Sequence, residues 1–283
     1  MSTGTLDAME GFTFGADPEM FIVDSDGNAV SAAGLIPGTK EEPYPVKFGA
    51  VQVDGMAAEF NIDPASNFAE FNRNIIAVVG QLTKMLPHGL SLACRPSIVF
   101  SPEAFEATSE ESKMLGCTPD FNAWTDRLNP PPDPSDNPLM RCAGGHIHIG
   151  WEVDDPDSLT HVINCRDLVK QLDWYLGAWS LQMDDDTNRR KLYGKAGACR
   201  IKPYGVEYRT LSNFWVSSVA RRRAVWNRTQ QAILDMRNHY APERLPKWNS
   251  ALVEAINTSR RNSTLEARLQ YPIRTIHTTS RSY

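Results

Sequence analysis

Arg141 to Trp151 reads RCAGGHIHIGW, and Arg200 to Trp215 reads RIKPYGVEYRTLSNFW. After the glycine pair of the first stretch, polar and apolar residues alternate. Strand side chains alternate with period two, so His146 and His148 share one face while Ile147 and Ile149 share the other. Glu207 and Arg209 obey the same rule in the second stretch. Two strands that each hold two ionisable groups on one face, inside runs otherwise suited to a core, point to a site rather than to a solvated surface.

Upstream, Phe12 to Asp24 (FTFGADPEMFIVD) reads as a strand that kinks at Gly15 and Pro18 and continues as MFIVD. Asp17 and Glu19 stand two apart. In extended backbone they share a face about 6 to 7 Å apart, near enough to chelate one cation or to flank two. The tripeptide on its own reads more readily as a turn cap. Gly27-Asn28 marks a turn before a short strand over Ala29 to Ala33. Lys47 to Ile62 predicts a hairpin that turns at Asp54-Gly55, with Glu59 set between Ala58 and Phe60. A carboxylate in so apolar a run needs a partner, and a metal ion or an arginine would supply it.

Asn67 to Leu86 predicts the clearest helix. Asn67 and Glu70 stand as cap and capping-box partner, and Phe68, Phe71, Ile75, Val78, Leu82 and Met85 form one stripe. A strand over Leu90 to Phe100 follows, with His88 as a helix-end residue without function. Gly116 to Trp124 and the run NPPPDPSDNP (Asn129 to Pro138) form a long proline-rich connection, read either as a loop beside a site or as a plain surface loop. Pro156 to Met183 predicts a second long helix whose stripe holds Leu159, Val162, Val169, Leu172, Leu176, Trp179 and Met183. The aspartates Asp184 to Asp186 belong to the loop after it, since acids at a helix C-terminus oppose its dipole. Arg189 to Lys195 (RRKLYGK) supplies four cations. Val216 to Tyr240 predicts a third helix, and the remainder a shorter helical piece with a polar tail. Strands and hairpins with few βαβ units give an α+β fold with a mainly antiparallel sheet. One domain over residues 1–283 is expected, with its core in 12–240 and a helical piece and tail in 241–283.

A chain of 283 residues, 41% hydrophobic and 22% charged, can bury one large core. Its net charge of -5 argues against a general nucleic-acid binder. Arg221 to Arg223 and the acid-poor tail after Arg268 read as solvated faces. Cys94, Cys117, Cys142, Cys165 and Cys199 form no CxxC pair, which suits free thiols in a reducing compartment. MSTGTLDAMEG lacks the basic start and apolar core of a signal peptide, and no run matches a membrane span, so the cytoplasm is the expected location.

The strand candidates are Asp17, Glu19, Glu59, His146, His148 and Glu207, with Arg200, Arg209 and Lys195 near them. Carboxylates with one or two imidazoles suit magnesium or manganese better than zinc. Arginines among such acids find their natural partners in phosphate oxygens. Metal, arginine and lysine together are the apparatus of phosphoryl transfer. Neither a Walker A pattern nor a GxGxxG fingerprint is present, so nucleotide binding requires another architecture.

In their order along residues 12–216, GADPE, DGMAAEFN, GCTPDFNAW, RCAGGHIHIG, RRKLYG and KPYGVEYRTLSNFW resemble the glutamine-synthetase-like carboxyl-amine ligases of the type-2 amidoligase family, found in phages and bacteria. The resemblance implies an antiparallel sheet with helices on one face, its concave side holding ATP and two divalent cations (Mg2+ or Mn2+). It implies ATP-dependent ligation of a carboxylate substrate to an amine substrate through an acyl phosphate, in the host cytoplasm if the chain is phage-encoded. Glu19 and Glu59 would hold one metal, and Asp17, His146 and Glu207 the second, with His148 as a further ligand or an orienting neighbour. Arg209, Glu207, Arg200 and Lys195 would form the catalytic set. Arg209 and Arg200 would bind the transferred phosphate and the carboxylate substrate, and Lys195 and Arg190 would add charge toward the nucleotide. Asp17 stands where glutamine synthetase has a glutamate, one methylene longer. A phosphotransferase acting on a guanidino or amine group, and a non-catalytic binding or virion component, are the other readings. The charges kept on a sheet face weigh against the last. The substrate pair and homo-oligomer formation stay open, and no membrane or nucleic-acid partner is expected.

Overall fold

In the computed structural model β1 (Thr13–Val23) is the longest strand and lies at the middle of the sheet, because its two halves serve different partners. Residues 11–115, 120–237 and 246–261 are described. The other elements in chain order are β2 (Ala29–Val30), β3 (Tyr44–Val46), β4 (Gly49–Asp54), β5 (Ala57–Ile62), α1 (Phe68–Met85), β6 (Ser91–Ala93), β7 (Ser97–Val99), α2 (Pro102–Glu106), α3 (Glu110–Lys113), β8 (Phe121–Asn122), β9 (Arg127–Leu128), β10 (Met140–Cys142), β11 (Gly145–Gly150), α4 (Leu159–Leu172), α5 (Ala178–Met183), α6 (Arg189–Leu192), β12 (Ala198–Lys202), β13 (Gly205–Tyr208), α7 (Val219–Arg237) and α8 (Pro246–Thr258).

The main sheet runs β3-β4-β5-β1-β11-β13-β12-β8-β9, with β2 and β6 added to the far end of β1, and every pairing described is antiparallel. Thr13 to Pro18 pair with β11, after which Glu19 and Met20 pair with β5. The strand continues through Gly15 and Pro18 into MFIV, as expected, and its pairing passes from β11 to β5 after Pro18.

One face of this sheet is apolar. Phe14, Ala16, Met20 and Ile22 of β1, Ile147 and Ile149 of β11, and Val206 and Tyr208 of β13 enter a single core with α1, α4 and α7. At about 25 cal/mol per Å², covering such side chains is the main force that holds helices to sheet. Helix α1 buries Phe71, Ile75, Val78 and Leu82, close to the predicted stripe. Asn67 caps it through the Glu70 N–H, while the Glu70 carboxylate reaches the Ser66 N–H rather than that of Asn67.

The second predicted helix begins later than Pro156, at Leu159 behind the Ser158 cap, and Leu159 itself is exposed. A π-helical turn over Asp173–Gly177 interrupts it before α5. The strand expected over Leu90 to Phe100 is two short strands, β6 and β7, separated at Pro96, which has no N–H to give to a ladder. Inside the proline-rich connection lies a small hairpin, β8 and β9, that extends the sheet edge. The polar tail expected after the last helix, and Cys117, lie outside the described residues. Among the described residues no helix is long and apolar enough to cross a membrane.

Candidate active site

The opposite face of the same strands is charged. Register places Asp17 beside His146, Glu19 beside Glu59, and His148 beside Glu207, which is flanked in turn by Arg200. The six predicted metal-binding side chains therefore share one face of five adjacent strands with Arg200 and Arg209. Two glycines make this possible. A Cβ on Gly144 would lie 2.3 Å from the His146 ring, and one on Gly145 would lie 2.3 Å from the Ser212 carbonyl oxygen and 2.6 Å from Trp215 Nε1. The Trp215 indole donates to the Gly145 carbonyl at 3.0 Å, so the strand is pinned from below where its side chains must be aimed from above.

Asp17, His146 and Glu207 each present a ligand atom within 4.8 Å of the others. Asp17 Oδ1 lies 3.0 Å from His148 Nε2 and 3.4 Å from His146 Nδ1. Glu207 is fully buried and meets Arg209 Nη1 in a short contact, Lys202 Nζ at 2.9 Å and Arg200 Nη1 at 3.7 Å. Asp17 Oδ1 and Glu207 Oε2 are nonetheless buried oxygens that accept no well-formed hydrogen bond. A carboxylate pair with one imidazole and spare acceptor capacity fits a hard divalent cation. Burial and the Asp17 charge push Glu207 up, but Arg209, His146 and His148 outweigh them and hold it down at about 2. Burial likewise opposes the charged form of Asp17, yet His148 and His146 keep that carboxyl well below its ordinary value. His148 is raised, with burial outweighed by Asp17, and its Nδ1 lies 2.6 Å from the Tyr204 hydroxyl.

Around Glu19 and Glu59 the balance is reversed. Burial, then Asp17, Asp54 and Glu19, push Glu59 well above the usual carboxylate range, and the Gln52 amide that donates to it at 2.8 Å does not offset them. Glu19 is raised by burial and by Asp54, while its Oε2 accepts the Gly144 N–H at 2.9 Å.

The remaining predicted residues stand apart. Arg190 is buried beneath the sheet edge, donating to Ser180 Oγ at 2.6 Å and to the Ile256 carbonyl oxygen at 3.3 Å. Lys195 is lowered by burial and by Arg190, and among the described residues its ammonium forms no ion pair. The aspartates after α5 serve the loop, as expected. Asp184 accepts from Ser212 Oγ, and Asp186 caps the Asn188 and Arg189 N–H groups.

Several members of the site were not singled out from sequence. Lys202 lies two residues after Arg200 and so on its face, which spacing alone could have shown. The same logic joins Gln52 and Asp54 to Glu59 across the hairpin. Asp120, 2.6 Å from Arg209 Nε, reaches the site only because β8 pairs with β12, and no local pattern announces that. Arg141 and Arg189 line a cavity of about 60 Å³ that also meets Glu19, Asp54, Asp120, His146 and Arg209. Arg141 gives its Nη groups to the backbone oxygens of Pro138, Met140 and Lys113, and Arg189 gives its own to Thr210 and Arg209. The Nε of each is buried without a hydrogen bond.

The antiparallel sheet thus gathers acids, imidazoles and arginines on its open face. Residues 138–276 match the family model described as Phage phiEco32-like COOH.NH2 ligase-type 2. In structure the chain is similar to a bifunctional glutathione synthetase from Pasteurella multocida, with a TM-score of 0.50 at 12% identity, over 90% of this chain and 42% of that one. It thus spans less than half the length of that protein, and the likeness concerns the fold. A structure described as a novel glutamine synthase homolog aligns with a TM-score of 0.35 at 13% identity, over 95% of this chain and 72% of that one. No protein of curated function matches the chain.

Proposed function

We propose that this chain uses ATP to join a carboxylate to an amine through an acyl phosphate, with two divalent cations, magnesium or manganese, on its acidic sheet face. The observation that carries this reading is the convergence of Asp17, His146 and Glu207 within 4.8 Å, beside Arg209 and Arg200. Those three residues would hold one ion, and Glu19 and Glu59 the other. When bound, such ions offset charge on phosphate oxygens. Arg209 is fixed by Asp120 on one side and Glu207 on the other, so its cation is in place before substrate arrives. Preorganised charge of this kind stabilises a phosphoryl group in transfer because little reorganisation is left for the reaction itself. A carboxylate oxygen of the substrate attacks the γ-phosphorus and ADP leaves. The amine then attacks the acyl carbon, and phosphate leaves as the nitrogen gives up its proton. Arg141 and Arg189 have no carboxylate partner among the described residues, and from the cavity wall they would receive the anionic end of the carboxylate substrate.

Calorimetric titration of ATP with and without Mg2+, on the wild type and on Glu207→Ala, tests the reading. Magnesium-dependent binding that the substitution removes, followed by amine-dependent ADP release in a screen of carboxylate and amine libraries, is the expected result. ATP binding indifferent to both magnesium and the substitution would overturn it.

A further inference from the structure

On the core side of the sheet, behind the site, Asp173 opens the π-helical turn Asp173–Gly177 and is fully buried. Its Oδ1 accepts from the Tyr208 hydroxyl at 2.7 Å and from Thr210 Oγ1 at 3.2 Å, and its Oδ2 accepts from Trp124 Nε1 at 2.6 Å and the Gly197 N–H at 2.7 Å. The Thr210 hydroxyl divides its hydrogen with the Lys195 carbonyl oxygen at 3.0 Å. Trp124 Nε1 and the Gly197 N–H can only donate and the two hydroxyls can donate as well, so the ionised carboxylate satisfies all four partners, which oppose the burial that raises Asp173 to about 6. Arg190 is the nearby counter-charge, with Asp184 beyond it, and neither hydrogen-bonds Asp173. The approach is close enough to constrain the helix as well. A Cβ on Gly177 would come within 3.0 Å of the Tyr208 hydroxyl and 3.2 Å of Asp173 Oδ1.

Tyr208 and Thr210 stand on either side of Arg209. Trp124 and Gly197 are tied in turn to the segment that carries Asp120: the Ala123 N–H donates to the Gly197 carbonyl at 2.9 Å, and the Asn129 N–H donates to that of Asp120 at 2.8 Å. One buried carboxylate therefore fixes the backbone on both sides of the Arg209–Asp120 pair. We propose that Asp173 is a positioning residue for the arginine of the site, acting through Tyr208 and Thr210 on Arg209 and through Trp124 and Gly197 on Asp120. Its catalytic consequence rests on the ligase reading given above, whereas the positioning itself does not.

The test has two arms. In the first, the Arg209 Nε–H signal is assigned by its loss in Arg209→Lys, and its hydrogen exchange is followed by NMR in wild type, Asp173→Asn and Tyr208→Phe. Asp173→Asn should speed exchange at least tenfold and Tyr208→Phe less, while the Nε–H of Arg222, which donates to Asn72 of α1 at 2.8 Å, does not change. Unchanged exchange at Arg209 in folded Asp173→Asn would overturn the proposal whether or not the protein is a ligase. In the second, kcat for amine-dependent ADP release should fall at least tenfold in Asp173→Asn with the ATP KM within twofold, and Asp173→Asn in the Arg209→Lys background should cost little more. Additive losses would mean that Asp173 serves stability alone, and would overturn it. An inactive wild type would count against the ligase reading and leave the first arm to decide this one.

Discussion

The two ends of the charged face lie on one sheet, Glu207 on β13 and Glu59 on β5 with β1 and β11 between them, and both are buried, yet their carboxylates behave in opposite ways. Glu207 is surrounded by Arg209, Lys202, Arg200 and His146 and is held at about 2. Glu59 faces Glu19 across the ladder and has Asp54 nearby, and it is pushed well above its ordinary value. Burial penalises both charges, so the neighbours decide the sign. The cationic end is neutralised from within the chain, whereas the acidic end gains most from a cation supplied from outside. In the proposed reaction the first end would hold one ion beside the arginines that receive the phosphoryl group, and the second an ion that relieves the repulsion among its acids.

Removing the charge of Glu207 should break the comparison most severely. Glu207→Gln leaves the buried Arg209 with Asp120 as its remaining carboxylate and the part-exposed Lys202 with none, and breaking a buried pair costs up to about 3 to 5 kcal/mol. Urea unfolding without metal should show a loss of that order, and amine-dependent ADP release should drop at least a hundredfold at a temperature where the variant remains folded.

The matching change at the other end should carry the opposite sign. Glu59→Gln removes repulsion with Asp17, Asp54 and Glu19, so in the absence of metal the variant should be more stable, by on the order of 1 kcal/mol, while Mg2+ should not raise its Tm as it should that of wild type. A destabilised metal-free variant would mean that the Gln52–Glu59 hydrogen bond matters more than the repulsion.

Proton competition sharpens the contrast further. The folded values of Glu19 and Glu59 lie above their unfolded ones, so the folded chain holds protons that the unfolded chain has released. Without metal, these two groups lower stability as pH rises from about 4 through their raised values. Mg2+ must displace the same protons, so its affinity should increase from pH 6 to pH 8, and less so in Glu59→Gln. Calorimetry in two buffers of different ionisation enthalpy would read proton release directly. Equal affinity and no proton release at the two pH values would place the ion elsewhere.

Much of this face was legible because strand alternation is strict. Once GGHIHIG and GVEYR were read as strands, His146, His148, Glu207 and Arg209 had to lie together, and the hairpin through Asp54-Gly55 carried Glu59 to the same side. The family resemblance then ordered these strands around Asp17 and Glu19. What stayed hidden depended on long-range pairing. Asp120 arrives through a two-residue strand in a segment dominated by turn residues, and nothing local in RCAGG or RRKLYGK shows that the guanidinium groups of Arg141 and Arg189 are buried. Arg190 was the inverse case. Adjacent to Arg189 on a single helical turn, it points to the other side, because neighbouring helix positions diverge by about 100°.

The smallest effect belongs to Lys40, whose ion pair reaches the acidic end, at 2.6 Å from Asp54. Its side chain is 42% exposed, so solvent and salt screen the pair, and its net worth is at most about 1 kcal/mol. Burial lowers Lys40, but Asp54, Glu59 and Glu19 together raise it, so its stabilising contribution is fully present at neutral pH and disappears only as pH climbs through the raised value. Lys40→Met should therefore cost little stability and only at low salt. Its effect on metal should run the other way. Taking a positive charge from beside Glu19, Glu59 and Asp54 leaves a more negative pocket, and Mg2+ should bind about two- to fivefold more tightly, a gain that 0.5 M NaCl largely erases. Weaker binding in Lys40→Met would show instead that the lysine holds its loop in place for the metal through the Gly38 carbonyl and the Val53 N–H, rather than acting as a competing charge.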